Sequence, residues 1–333
     1  MAKTVISAFD EFLKYSVNLD SDQTIKARAS RDWLFDKIES FPNDNYSFPR
    51  LFSEKNIAFG SFARRTKIRE LDDIDLMICL HGEESTYYED SDGIIIKVSD
   101  SAQRLKKLCD DDTSNLNSKK VINAFVSELN SIPQYQKAEI KRNMEAATLN
   151  LKSYPWSFDI VPCFFTKPDI LNKDFYLIPN GYGKWKKTDP RKDRDRVTEV
   201  NQLHDGNLLN IIRIIKYWNK RPTMPLMSSY LLETIIVNFY NSKTNSLSKF
   251  VDINIPEILN HISSAIFSSV YDPKGIQGDI NSLLFTDRMK ISVRASADYD
   301  KALVARDYEK NKNDQASIEK WAEIFGPDFP LYY

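Results

Sequence analysis

The chain has 333 residues, and 46 Lys and Arg residues against 47 Asp and Glu give a formal net charge of −1. This balance excludes a globally basic, nucleic-acid-coating protein, and no apolar run approaches the about 18 residues that a membrane helix needs. Three cysteines without paired spacing and three scattered histidines predict neither a disulfide framework nor a zinc site. We therefore expect a cytoplasmic protein with no membrane partner and no obligate nucleic-acid partner.

The first part of the chain predicts helices followed by strands. A long helix is expected over SDQTIKARASRDWLFDKIESF, beginning at Ser21 or Asp22. Its expected buried face carries Ile25, Ala29, Trp33 and Ile38. Strands are predicted at NIAFG, DIDLMICL and GIIIKVSD, then a helix over SKKVINAFVSELN, then strands at AEIKRN, AATLNLK and SFDIVPCFF.

The second part of the chain is almost wholly helical by its spacing. The helical segments are DGNLLNIIRIIKYWNK, SSYLLETIIVNFY, KFVDINIPEILNHISSAIF and ADYDKALVARDYEK. Before them, GKWKKTDPRKDRDRV mixes basic residues with aspartates, which predicts a charged surface loop. We expect a mixed α/β part with N-terminal helices over 1–195 and a helical part over 196–333, and a cleft between two such parts is a common place for a substrate.

Two carboxylates and a Gly-Ser turn carry the chemistry of the first part. Alternate residues of a strand point the same way, so Asp73 and Asp75 of the DIDL segment share one face. Two neighbouring like charges are unfavourable unless a cation neutralises them, and Mg²⁺ suits such a pair. Gly60 and Ser61 follow an apolar strand, where a small residue lets backbone N–H groups and a hydroxyl approach phosphate oxygens.

A third acid, Asp159, lies inside the apolar strand SFDIVPCFF, where an unpartnered carboxylate is costly. Three acids on neighbouring strands could hold two metal ions, one activating a hydroxyl and the other stabilising a leaving group. Alone, an Asp-x-Asp pair is more typical of a solvated strand end or a turn. The combination with the Gly-Ser turn and the later buried acid favours a phosphoryl-transfer site.

The order of these motifs resembles the signature of the polymerase-β-type nucleotidyltransferases. GSFARRTKIRELDDIDLMI, GKWKKTDP, IIRIIKYWNK, SSYLLE and WAEIFGPDFP are most similar to the bacterial CD-NTases of CBASS anti-phage systems, relatives of cGAS and oligoadenylate synthetase. The resemblance implies an α+β fold. Its parts are a polymerase-β-like nucleotidyltransferase core with a mixed β-sheet, a long N-terminal helix and a helical C-terminal half like that of oligoadenylate synthetase.

The same resemblance assigns roles to particular residues. It implies that Asp73, Asp75 and Asp159 are catalytic and bind two Mg²⁺ ions, for which Mn²⁺ can substitute. It places Gly60 and Ser61 at the triphosphate of a bound nucleotide.

Three residues of the helical part complete the resemblance. Lys216 and Ser229 match the family's triphosphate-binding lysine and serine, and Tyr230 matches an aromatic residue that stacks on a base. From spacing alone, Arg213, Lys216 and Lys220 would form an ordinary solvated helix face. By the same reasoning Tyr230 would be a core residue of its helix.

The resemblance implies a template-independent nucleotidyltransferase that makes a cyclic di- or trinucleotide second messenger for anti-phage defence. Its expected partners are nucleoside triphosphates (ATP, GTP or both, with pyrimidine nucleotides as an alternative) and an effector protein that senses the product. The alternatives are a linear-oligonucleotide synthase, an enzyme that modifies an RNA, a protein or a small molecule, and a degenerate nucleotide-binding module. Base identity, linkage, ring size, activation and oligomeric state are left open.

Overall fold

The computed structural model describes residues 2–222 and 224–333. The helices of the first part are α1 (Val5–Phe12), α2 (Ser21–Asp44), α3 (Gly60–Ala63), α4 (Gln103–Lys106) and α5 (Ser118–Ser131). The strands are β1 (Ile57–Phe59), β2 (Asp73–Leu80), β3 (Thr86–Asp90), β4 (Gly93–Lys97), β5 (Glu139–Asn143), β6 (Ala146–Asn150), β7 (Ser157–Phe165), β8 (Tyr176–Pro179) and β9 (Trp185–Thr188). The later helices are α6 (Pro190–Leu203), α7 (Leu208–Asn219), α8 (Ser229–Asn241), α9 (Val251–Ala265), α10 (Phe285–Lys310) and α11 (Asp314–Phe325).

The chain divides into two compact units. One, the sheet unit, comprises Asp22–Ala63 and Leu71–Arg191. The other, the helical unit, comprises Met1–Ser21, Arg64–Glu70 and Lys192–Tyr333. In this division, residues 1–21 and 64–70 belong to the helical unit. The predicted domain boundary after residue 195 stays a prediction. Across the described residues, every helix is too short or too polar to span a lipid bilayer.

The sheet unit is built on a mixed sheet, as the sequence predicts. In the described part of the chain it has nine strands in the order β1-β2-β7-β8-β9-β4-β3, and β6 joins at β7 and carries β5. The pairing of β2 with β7 is parallel, and the other pairings of named strands are antiparallel. The predicted strands are confirmed. Strands β3 and β8 were not predicted; all residues of β3 are exposed and lack an apolar alternation, and β8 has only four residues.

The helical unit encloses a large apolar core. Helix α7 is amphipathic and buries Leu208, Ile211, Ile212, Ile214, Ile215 and Trp218. Aromatic side chains of α1 and of the C-terminal segment pack edge to face in this core. The ring centroids of Phe9 and Trp321 are 5.0 Å apart, as are those of Phe12 and Phe329. The α+β class and the helical second part are therefore confirmed.

Helix α2 begins where predicted but buries a different face. Its buried residues are Ala27, Leu34, Ile38 and Phe41. Ile25 is 64% exposed and Ala29 is exposed, so the predicted face is wrong at its N-terminal end. Because apolar residues are sparse in this helix, their spacing is compatible with burial of either of two neighbouring helix faces.

The predicted charged loop before residue 195 is wrong. GKWKKTDPRKDRDRV instead forms strand β9 and the start of α6. The basic residues of β9 pair with acids of the sheet unit, since Lys186 lies 2.6 Å from Glu145, in the turn between β5 and β6, and Lys187 lies 2.6 Å from Glu89 of β3. These ion pairs give the basic residues of β9 oppositely charged partners, which offsets the high charge of the strand.

Candidate active site

Strands β2 and β7 bring two of the predicted acids to neighbouring positions. Their parallel register pairs Asp75 with Asp159 and Asp73 with Ser157. Register partners point to the same face, and adjacent strands are about 4.8 Å apart. Asp73, Asp75 and Asp159 therefore lie on one face and are all half-buried, while the alternating Ile74 and Leu76 are buried on the other.

Gly60 is packed against one of these carboxylates. It follows β1, whose last residue Phe59 pairs with Asp75, and its backbone has φ +71°. A Cβ at this position would lie 1.8 Å from Oδ2 of Asp75. Both the left-handed backbone and the close approach require glycine, whose lack of a Cβ allows each. Ser61 is the next residue of α3.

Asp159 is held from a third strand. Thr148 of β6 is its antiparallel register partner, and the Thr148 hydroxyl donates to Oδ1 of Asp159 at 2.6 Å. Thr148 is 7% exposed, so this bond is largely shielded from water. A hydroxyl that donates to one carboxylate oxygen fixes the side chain and leaves the other oxygen to face elsewhere. The sequence analysis did not identify Thr148.

The donor set of this face consists of carboxylate oxygens, which are the ligands that Mg²⁺ prefers. Within residues 2–222 and 224–333, no three His, Cys, Asp or Glu side chains are already gathered around one metal position. Like-charged carboxylates stay apart unless a cation joins them. The strand register and the half-burial of the three acids on one face are compatible with a metal site there.

Replacing Thr148 with Val is expected to lower activity or metal affinity by about 10- to 100-fold, because partners that orient metal ligands typically contribute that much. Valine keeps the shape and removes the donor to Asp159. The measurement is synthesis rate against Mg²⁺ concentration. Thr148→Ser keeps the hydroxyl and should behave like the wild type, so equal Mg²⁺ dependence in Thr148→Val and Thr148→Ser would contradict the role.

In the helical unit, Lys216 lies in a buried charge cluster. Its ammonium donates to Oε1 of Glu233 at 2.8 Å and to the carbonyl of Thr66 at 2.9 Å. Arg64 donates to the other oxygen of Glu233 at 3.1 Å. Lys216 is 4% exposed, so the solvated-face interpretation is wrong for it. A contact of Lys216 with a triphosphate stays a prediction, and such a contact would share the ammonium with Glu233.

Ser229 and Tyr230 begin helix α8. Ser228 caps this helix by accepting a hydrogen bond from the Leu231 N–H, and Ser229 is exposed at the first helical position. Tyr230 is half-buried, and its hydroxyl contacts carboxylates of Asp193 and Asp272. Tyr230 is therefore neither a fully buried core residue nor a freely solvated one. The nucleotide contacts of both residues stay predictions.

Glu233→Gln is expected to lower the free energy of unfolding by about 3–5 kcal/mol, because it leaves two buried cations without their anion. Burial alone would raise the pKa of Glu233, but Arg64 and Lys216 outweigh it and lower the pKa below 4.5. Its contribution to stability is thus present above pH 4.5 and is lost as the pH falls through the lower folded-state pKa.

Urea unfolding at neutral pH and at stepwise lower pH measures this effect. Lys220→Gln is the matched control, because it removes an exposed cation at the end of α7. It should leave the unfolding midpoint unchanged. A Glu233→Gln protein as stable as Lys220→Gln at neutral pH would show that the cluster contributes little.

The comparisons with known proteins cover the whole chain. The chain is 46% identical over 335 residues to a Bacillus cereus (strain VD146) protein named "Probable cyclic nucleotide synthase", covering 100% of this chain and 99% of the relative. It is 21% identical over 350 residues to the "Cyclic AMP-AMP-AMP synthase" of Escherichia coli (strain MS 115-1), covering 96% and 95%.

The solved structure of the E. coli MS115-1 CdnC:HORMA-deltaN complex contains a chain of the same fold. The TM-score is 0.69 at 17% identity, with 97% of this chain and 98% of that chain covered. No protein-family model matches the sequence. The full-length similarity to the B. cereus relative is sufficient to assign the family. The chain belongs to the CD-NTase family of nucleotidyltransferases that synthesise cyclic oligonucleotides.

Proposed function

We propose that this protein joins ribonucleoside triphosphates into a cyclic di- or trinucleotide on Asp73, Asp75 and Asp159, with two bound Mg²⁺ ions. The observation that carries this proposal is the register of β2 and β7, which sets Asp75 beside Asp159 on the face that also carries Asp73. The product would act in the cytoplasm as an anti-phage signal that an effector protein senses. ATP, alone or with GTP, is the proposed substrate, supported by the relative named for a cyclic AMP-AMP-AMP product.

Each candidate-site residue of the sheet unit has a defined task in this proposal. Asp73, Asp75 and Asp159 would hold the two metal ions, which would supply activation of a ribose hydroxyl and stabilisation of the leaving pyrophosphate. Gly60 leaves room for the Asp75 carboxylate, and Thr148 fixes that of Asp159. Proposed contacts of Ser61 with the triphosphate orient the α-phosphorus toward the attacking hydroxyl oxygen. The new phosphodiester bond forms as the bond to pyrophosphate breaks.

One set of carboxylates is sufficient for ring closure. After the first bond forms, the linear intermediate still carries a 5′-triphosphate and a free ribose hydroxyl. If it turns over, its own hydroxyl attacks its own α-phosphorus, and a second pyrophosphate leaves. Closure is favoured because the two reacting groups are already tethered, which raises their effective concentration.

The test incubates purified protein with the four ribonucleoside triphosphates and Mg²⁺, treats the products with alkaline phosphatase and follows them by mass spectrometry. A cyclic product has no terminal phosphate and keeps its mass. A main product that loses phosphates would contradict cyclisation while leaving nucleotidyl transfer intact. Labelled ATP and GTP, supplied singly and together, identify which bases enter the ring.

A further inference from the structure

The hydroxyl of Tyr230 lies between two carboxylates. It is 2.5 Å from Oδ1 of Asp272 and 3.0 Å from Oδ1 of Asp193. A phenol has one proton, so it donates to one carboxylate at a time and the two acids compete for it. Burial, the bond to Asp272 and the charge of Asp193 raise the pKa of Tyr230, so the hydroxyl keeps its proton at neutral pH.

Asp272 is itself fixed by the loop that contains it. Its carboxylate accepts hydrogen bonds from the backbone N–H groups of Lys274, Ile276 and Gln277 at 3.0, 3.2 and 2.9 Å. A bridge between Tyr271 and Asp279 closes the loop. Asp272 is 5% exposed. The loop is therefore built around the carboxylate that tethers Tyr230, and a displacement of the loop would displace the tether.

Lys274 of the same loop covers the ring of Tyr230. Its ammonium lies 4.2 Å from the ring centroid and 3.5 Å from Oδ2 of Asp193. The Lys274 side chain is 8% exposed, so this cation–π contact is shielded from water, where such contacts are strongest. Tyr230 also borders a small cavity of about 20 Å³ in the helical unit, whose wall includes Arg196 and Val197.

The ring of Tyr230 is thus held at its hydroxyl and over its plane. A half-buried tyrosine needs one hydrogen-bond partner for its hydroxyl, whereas Tyr230 has two carboxylates at its hydroxyl and a cation over its ring. Both restraints would favour ligand binding to the ring, because a stacking surface that is already fixed loses less conformational freedom when the ligand binds. The restraints come from a loop and a helix far from Tyr230 in sequence.

We propose that Asp272 and Lys274 are positioning residues that fix the Tyr230 ring as a stacking surface for the base of a bound nucleoside triphosphate. This inference rests on the proposed function and extends it, since it assigns substrate affinity to a loop outside the carboxylate site. Loss of the tether weakens base binding and leaves the chemical step almost unchanged.

The test replaces Tyr230 with Phe, which keeps the ring and removes the hydroxyl. The expected result is a KM for ATP about two- to tenfold higher, as one net hydrogen bond allows, with kcat within about twofold of the wild type. Lys274→Met, which keeps an apolar stem and removes the cation, should raise KM in the same way. Equilibrium binding of a non-hydrolysable ATP analogue should weaken in parallel in both variants.

Tyr217→Phe is the matched control. The Tyr217 hydroxyl donates to Asp328 at 2.6 Å, so the change removes the same kind of bond elsewhere in the helical unit. Its KM should equal that of the wild type. If Tyr230→Phe and Lys274→Met also keep the wild-type KM and analogue affinity, the inference is overturned and the proposed function stands. Wild-type protein that forms no product overturns the proposed function and this inference together.

Discussion

Asp75→Asn is expected to reduce cyclic-nucleotide synthesis by about 100-fold or more, because a bound metal supplies several kcal/mol of transition-state stabilisation. Asparagine has nearly the same size as aspartate but lacks the charge that binds Mg²⁺. The neighbouring carboxylate of Asp159 loses a like-charged neighbour, so the melting temperature without metal should stay the same or rise. Product formation by mass spectrometry and thermal unfolding without metal measure the two effects.

The same substitutions at Asp73 and Asp159 should have the same effect on synthesis. Asp72→Asn is the matched control, because Asp72 is an exposed carboxylate directly before β2. It should retain normal synthesis. Near-normal turnover of the Asp75→Asn protein in Mg²⁺ would rule out the carboxylate assignment.

Gly60→Ala should reduce synthesis by about 100-fold, because its Cβ forces the Asp75 carboxylate to move and a misplacement of about 1 Å has effects of that size. The new Cβ would lie 1.8 Å from Oδ2 and 2.7 Å from Cγ of Asp75. The positive φ adds a smaller penalty, about 1–2 kcal/mol of folding free energy. Synthesis rates must therefore be normalised to the folded fraction, measured by urea unfolding.

Gly206→Ala separates the two effects of the Gly60 substitution. Gly206 has φ +83°, and a Cβ there would meet nothing within 4 Å. It therefore carries the backbone penalty without the collision. Gly206→Ala should lose stability but keep its synthesis per folded molecule. If Gly60→Ala behaves in the same way, the close approach to Asp75 has no part in activity.

The sequence was sufficient to predict the elements that carry the acids. The alternation of apolar and acidic residues in DIDL and SFDIV predicts that Asp75 and Asp159 point away from the apolar face of their strands, and both do. The pairing of β2 with β7 did not follow from alternation alone, because parallel partners are distant in sequence. The family resemblance supplied that information by placing all three acids at one site.

Other residues of the candidate site can be recognised only from three-dimensional contacts, which the sequence does not show. Thr148 reaches Asp159 only because β6 pairs with β7 in one particular register. Glu233 was a recognisable signal, an acid inside the apolar helix SSYLLETIIVNFY, but its partners Lys216 and Arg64 lie on other elements. Lys216→Ala is consequently expected to affect stability as well as nucleotide binding, since it removes one of the two cations from Glu233.

The parallel pairing of β2 and β7 also bears on when the protein becomes active during synthesis on the ribosome. No hairpin can join parallel strands, so β2 must wait until the chain has been made through β7 before the two can pair. A nascent or prematurely terminated chain that ends before residue 157 contains Asp73 and Asp75 but lacks the strand that carries Asp159. If the three acids act together as proposed, such fragments make no product, and synthesis begins only after the chain has been made through β7.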